Sequence, residues 1–277
     1  MTDLSGVHFE YAGTSSRLYG LITGNVETTR FTQVAGEIGG VTIYNKKNRR
    51  QYLIDDEQDD SPISLEIDIV TEDGRCLERN EMRQIEKWLF NRGKYKRFYL
   101  DIEDDVYGET TELIDGIQKR LYLNCRFINP ERLEYNGGVI GYKVTMDTDS
   151  CMWWQEPVTK TFAVNTATTS STAYFTVPVD TDLDDYVYPK ITITTGSLAG
   201  DVSIRNATDN ATRLFTFNDL PAGTSVAVDC GINYVGGGYY ANLSDRNFPR
   251  LTDGNNNMVI TGCVASVVVE YQNRRNF

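Results

Sequence analysis

Residues 80–92, NEMRQIEKWLFNR, carry the one clear helical period in a chain that otherwise reads as strand. Met82, Ile85, Trp88 and Leu89 recur at helical spacing and form one apolar stripe, while Glu81, Arg83, Gln84, Glu86 and Lys87 face water. Asn80 is suited to cap the start, and Gly93 is suited to end the helix in the left-handed conformation. A helix of roughly three turns is marginal alone, so its stripe must be buried against the segments on either side.

Those segments alternate with the period of a strand. Ile63, Leu65, Ile67 and Ile69 share one face and Ser64, Glu66 and Asp68 the other, ahead of a turn at Asp73-Gly74. Beyond the helix, Phe98, Leu100 and Ile102 alternate with Arg97, Tyr99 and Asp101. Leu121, Leu123, Cys125 and Phe127 alternate with Arg120, Tyr122, Asn124 and Arg126, and Tyr142, Val144 and Met146 follow the same rule. Upstream, Val7, Phe9 and Tyr11 alternate before Tyr19-Gly20-Leu21-Ile22. Val41–Tyr44 and Gln51–Ile54 flank the basic run Asn45–Arg50, which reads as a hairpin with a polar tip. Lys46, Lys47, Arg49 and Arg50 on that tip are either a solvated end or an arm reaching an acidic neighbour.

From about Thr159 the composition shifts. The Thr/Ser-rich VNTATTSSTA is followed by short strands at Tyr174–Val177, Lys190–Thr194, Val202–Ile204, Leu214–Phe217, Val226–Val228, Met258–Thr261 and Val264–Tyr271. Turn residues at Pro221-Ala222-Gly223 and Asp253-Gly254-Asn255 separate them, the pattern of a β-sandwich. The boundary falls near residues 155–165, dividing the chain into 1–157 and 158–277. The fold class is mainly β: an N-terminal barrel or sandwich with one packed helix, then a second β-sandwich.

Composition narrows the function. A chain of 277 residues with 40% hydrophobic and 24% charged residues has the make-up of a globular protein. Its 17 Tyr and 11 Phe favour pleated sheet. A formal charge of −12 opposes a main task of holding nucleic acid, which needs a concentrated basic face. Neither a signal peptide nor a membrane-spanning run is read from the sequence. Five cysteines, at 76, 125, 151, 230 and 263, are scattered and odd in number, so neither a disulfide framework nor zinc is expected. Three Asn-x-Ser/Thr sequons, at Asn206, Asn210 and Asn242, carry little weight without a secretory signal.

No catalytic or cofactor site emerges. His8 is the only histidine, so a Ser-His-Asp arrangement would have to use it. The acidic runs at residues 55–60 and 101–105 lack the D-x-[DN]-x-[DN]-G calcium loop and read as solvated loops. Gly236-Gly237-Gly238-Tyr239-Tyr240-Ala241 fits G-x-G-x-x-A in form, yet no helical pattern follows to present a phosphate site. Trp153-Trp154 and Tyr239-Tyr240 would stack on sugar rings if exposed, the basis of an alternative reading as a carbohydrate-binding protein for host cell walls. Against that, adjacent strand residues point to opposite sides, one to the core and one to an interface.

Taken in order, several segments resemble the distal tail proteins of siphophages. They are Phe9-x-Tyr11-x-Gly13 leading to Tyr19-Gly20-Leu21-Ile22, the strand, helix, strand unit of 63–103, the Tyr122 strand, Gly137-Gly138 and Gly141-Tyr142-x-Val144. In the second half, Tyr188-Pro189-x-Ile191-x-Ile193 and Phe248–Asn256 followed by Met258-Val259-Ile260 resemble that family's galectin-like sandwich. The resemblance implies a hexameric ring at the end of the tail tube in the virion, made in the bacterial host cytoplasm. It implies contacts with sister copies, tail tube protein, tape-measure protein, a tail-associated hub protein and a receptor-binding protein, with DNA only as passing cargo. No cofactor, metal or enzyme activity accompanies it.

Overall fold

The computed structural model describes residues 6–24, 38–39, 42–45, 50–53, 57–58, 62–90, 93–101, 111–114, 117–182 and 185–276. The chain divides into two compact units, residues 1–155 with 276–277, and residues 156–275.

In the first unit the main antiparallel sheet runs in the order Thr14–Ser15, Phe9–Tyr11, Lys96–Leu100, Ile117–Tyr135, Gly138–Thr148, Ser64–Thr71, Leu21–Gly24. Its two ends meet through the N-terminal segment. Gly6 donates to the Thr23 carbonyl and Thr23 donates to the Val7 carbonyl, while Phe9–Tyr11 pairs with Phe98–Leu100. Residues 6–11 therefore hold both ends, and the sheet curls into a barrel-like wall whose closure protects its edges. The register carries the core: Tyr11, Phe98 and Leu123 form one row, Phe127, Met146 and Leu65 another, and Val144 lies against Ile67. All of these are buried. Asp68 is also buried, although alternation assigns it to the solvent side.

The helix spans Arg79–Leu89 and lays its stripe on this aromatic core. Ile85 and Leu89 are buried, and Met82 and Trp88 sit at the rim. The Trp88 indole N–H donates to the Tyr11 carbonyl at 2.9 Å, and its ring stacks on Phe9 with centroids 5.8 Å apart. Both ends differ from the sequence expectation. Glu78, not Asn80, is the capping residue, because Glu81 folds back to accept from the Glu78 N–H at 2.9 Å. Arg75 fixes Glu81 in that position through two hydrogen bonds of 2.8 Å. The helix closes at Phe90, ahead of Gly93, where the Phe90 ring leaves to pack edge-on against Tyr142 at 5.5 Å.

The strands expected around the basic run are present, Thr42–Asn45 pairing with Arg50–Leu53 and Asn45 opposite Arg50. Lys46, Lys47 and Arg49 lie outside the described residues, as does the Arg50 side chain. Most of both acidic runs lies outside them too; Asp101 is described and pairs with Arg17 at 2.7 Å.

The second unit is a sandwich of two five-stranded antiparallel sheets. One runs Val158–Ala163, Val264–Tyr271, Lys190–Thr195, Ser225–Asp229, Tyr234–Val235; the other runs Thr172–Val179, Gly254–Thr261, Gly200–Asn206, Phe215–Leu220, Leu243–Arg246. Ile191, Ile193, Val267 and Val269 face inward from the first and Val202, Ile204, Phe215 and Phe217 from the second. One loop is pinned by Asn256, which is fully buried. Its Oδ1 accepts from Asn206 Nδ2 at 2.7 Å and the Thr252 N–H at 2.9 Å, and its Nδ2 donates to the Thr252 carbonyl at 2.7 Å. Every strand expected in this half is present. Val158–Ala163, Tyr234–Val235 and Leu243–Arg246 join them; they are short or polar, and alternation alone does not mark them.

Two measurements test this packing. A Cβ on Gly141 would lie 2.2 Å from the Ile69 carbonyl oxygen and 2.7 Å from Val70 Cα, so Gly141→Ala must push two paired strands apart. It is expected to cost about 1–3 kcal/mol in denaturant unfolding, whereas Gly93→Ala, with open space around it, leaves the midpoint unchanged. The Arg75 hydrogen bonds, and then the Glu78 N–H, hold the Glu81 carboxyl at about 2, below its usual 4.5. A depressed folded value means the stabilisation is complete above the ordinary carboxylate range and is lost as pH falls toward the folded value. Glu81→Gln should therefore cost about 1 kcal/mol at neutral pH, allowing for solvent screening. That difference should shrink below the ordinary carboxylate range and be lost as the pH falls through about 2.

Candidate functional site

The wall of the first unit presents arginines set over tyrosine rings on the face turned away from the helix. Arg120 lies over the Tyr99 ring at 4.3 Å and Arg97 over Tyr122 at 4.4 Å, with the two rings 5.6 Å apart. Arg120 also donates to Glu10 at 2.9 Å and to the Leu100 carbonyl at 3.0 Å. Arg126 extends the row, lying over Tyr95 at 5.1 Å and donating to Asp147 at 2.7 Å. Cations held by ring quadrupoles and carboxylates lose little freedom on meeting a partner, and Tyr with Arg is the composition of protein contact hot spots. Alternation along each strand places these residues on one face, but only the pairing of Leu123 with Phe98 brings the arginine of one strand over the tyrosine of the next.

A second feature is a groove of about 720 Å³ at the C-terminal end of the helix. Glu86, Phe90, Arg126, Phe127, Pro130 and Tyr142 are among its lining residues. It owes its shape to an irregularity in the long hairpin, where the register slips between Ile128 and Glu131. Asn129 takes φ 52° there, and Pro130, which has no N–H to give a ladder, occupies the break. Glu86 Oε1 accepts from Arg132 at 2.8 Å and from the Tyr142 hydroxyl at 3.2 Å. Burial, and then the Glu86 charge, push the Tyr142 phenol well above its usual range, so it remains a hydrogen-bond donor. The groove is half apolar and half ion-paired, which suits contact with a protein segment. Nothing in the sequence pattern announces it, since the slip is a property of two strands together.

The residues nominated from sequence are dispersed. Trp153 is buried at 2% exposure inside the first unit and has no face to offer a sugar, which removes it from the stacking reading. Trp154 beside it is half-buried and belongs to the same unit. Tyr239 and Tyr240 lie in a single 3-10 turn, Tyr239–Asn242; Tyr240 is exposed, with Arg246 over its ring at 5.1 Å. That four-residue turn is the helical element that follows the glycines among the described residues, too short to gather a phosphate. His8 is buried with Nε2 3.4 Å from Glu72. Cys125, Cys151, Cys230 and Cys263 are buried and Cys76 is exposed. Among the described residues no group of three or more His, Cys, Asp or Glu is placed to hold a metal ion, and no helix is long and apolar enough to cross a membrane.

Comparison with known proteins gives the family. Residues 4–150 match the family described as phage tail protein N-terminal domain, and residues 158–271 match the phage tail C-terminal domain. No curated protein sequence matches significantly. Among solved structures, the chain is similar to the Dit protein (gp 19.1) of phage SPP1, described as a paradigm of the hub adsorption apparatus in phages infecting Gram-positive bacteria. The identity is 11%, the TM-score 0.63, and the match covers 96% of this chain and 98% of that one. It also aligns with a chain of the phage p2 baseplate in its activated conformation, at 9% identity and TM-score 0.47 over 98% and 99% of the two chains. The fold is thus that of the SPP1 hub, and the chain belongs to the phage tail protein family, as a structural component of the tail.

Proposed function

We propose that this chain is the distal tail protein of a siphophage: a hub, closed as a hexameric ring, that joins the tail tube to the host-adsorption apparatus and lets DNA pass. The observation that carries this reading is the extent of the likeness to the SPP1 hub, which runs through both units over 96% of the chain. Physical features agree with it. A barrel-like wall stiffened by a helix is a good ring segment, and a chain of net charge −12 does not retain a polyanion moving through a channel. The arginine–tyrosine face and the groove are prepared contact surfaces and hold no reaction centre. In a closed ring each copy meets its neighbours through two different surfaces. The basic hairpin carrying Lys46, Lys47, Arg49 and Arg50 reaches a sister copy or the tube, because an acidic protein that self-assembles needs positive contacts on its interfaces. The further partners are tape-measure protein, a tail-associated hub protein and a receptor-binding protein, and the chain is made in the bacterial host cytoplasm before assembly.

Native mass spectrometry at low salt tests this directly. The wild-type protein should appear as a hexamer, and the charge-reversed variant Lys46→Glu, Lys47→Glu, Arg49→Glu, Arg50→Glu should weaken assembly at least tenfold and release monomers. A strictly monomeric wild type at high concentration would overturn the ring. An unchanged ring in the variant would remove the hairpin from the interface.

A further inference from the structure

The four outer strands of the second unit are not equally guarded. Leu243–Arg246 is four residues long, carries Asp245 and Arg246, and pairs through an irregular register. Tyr234–Val235 has two residues, and Val158–Ala163 carries Lys160. Short length, charge and irregularity are the usual ways of blocking unwanted strand pairing. The fourth, Thr172–Val179, reads TAYFTVPV: eight residues without a charge, paired in register on one side with Gly254–Thr261 and standing at the end of its sheet. Tyr174 in its middle is 77% exposed, the most of any large apolar side chain among the described residues. At the far end Pro178 cannot donate from its backbone, and its carbonyl already accepts from the Tyr271 hydroxyl. Among the described residues, the open part is therefore Thr172–Thr176.

That part is self-complementary. Thr172, Tyr174 and Thr176 are exposed on the outer face, while Ala173 and Phe175 are partly covered, Phe175 meeting Phe162 of the other sheet at 4.5 Å. Reading T-A-Y-F-T about its centre places Thr172 across from Thr176, Ala173 across from Phe175, and Tyr174 across from its own copy. Threonine pairs and aromatic pairs are favourable cross-strand neighbours, and like charges facing each other are not. On a chain of net charge −12, an uncharged strand is where two copies can approach without repulsion.

We propose that two copies of this chain pair antiparallel along Thr172–Thr176 with Tyr174 on the two-fold axis, joining their outer sheets into one continuous sheet. This contact is separate from the ring, since a two-fold axis brings the same surface of both copies together whereas a ring does not. One short strand pair buries less than the about 1,200 Å² of a stable interface, so the association is weak and depends on concentration. Where rings are present, several such strands act at once and strengthen it.

Sedimentation velocity of the full chain over a concentration series, comparing wild type with Tyr174→Lys, reads this contact. The wild type should shift toward a species of twice the mass, and Tyr174→Lys should raise the dissociation constant at least tenfold with an unchanged melting temperature. The ratio between the two proteins is readable whether the starting species is one chain or a ring, so a failed ring and a failed strand pair are told apart. A second arm uses Tyr174→Cys in a Cys76→Ser background, which removes the exposed native thiol. Cα atoms facing each other across antiparallel strands lie about 4.5–5.5 Å apart, within disulfide reach, so mild oxidation should give a covalent dimer. No doubling of mass, doubling that survives Tyr174→Lys, or no cross-link would each overturn the proposal.

Discussion

Trp88 donates its indole N–H to the carbonyl of Tyr11 at 2.9 Å, and the same ring stacks on Phe9 and touches Tyr19 at 5.4 Å. One side chain of the helix thereby fixes the strand that closes the wall. That strand is the hinge of the first unit, since residues 6–11 reach Thr23 at one end of the sheet and Phe98–Leu100 at the other. Without the helix, the closing strand would lose its inner support. Without the strand, the helix would lose the aromatic floor that a short helix needs to persist. Cooperative packing of this kind suits a part that must hold shape while its surfaces meet other proteins.

On that frame the proposed contact surfaces come ready-made. Arg97, Arg120 and Arg126 are held over Tyr122, Tyr99 and Tyr95, so a partner meets groups already in position and less freedom is lost on binding. The groove by Phe90 and Pro130 is set by the slip in the hairpin and by Glu86 gathering Arg132 and Tyr142.

Local pattern and non-local geometry were unequally visible in the sequence. The stripe at Met82, Ile85, Trp88 and Leu89 located the helix because a 3.6-residue period survives without tertiary context, and the alternation at 63–69 and 121–127 did the same for strands. The helix start was misplaced at Asn80 because Glu78 is a weak capping residue by type; it serves only because Arg75 positions Glu81. Tyr99 and Tyr122 are buried on the face opposite Phe98 and Leu123, because arginines from neighbouring strands lie over them, a pairing that alternation alone does not reveal. Barrel closure, the hairpin slip and the burial of Trp153 all depend on which strands lie side by side, and no single stretch encodes that.

The central claim is that the first unit forms the wall of a ring at the end of the tail tube. Electron cryo-microscopy of the purified phage tail, with six-fold averaging at the tube end, tests it most directly. The account predicts six copies around an open channel, with the first units forming the ring. Density showing a single copy, or a ring whose channel the first units do not line, would contradict it.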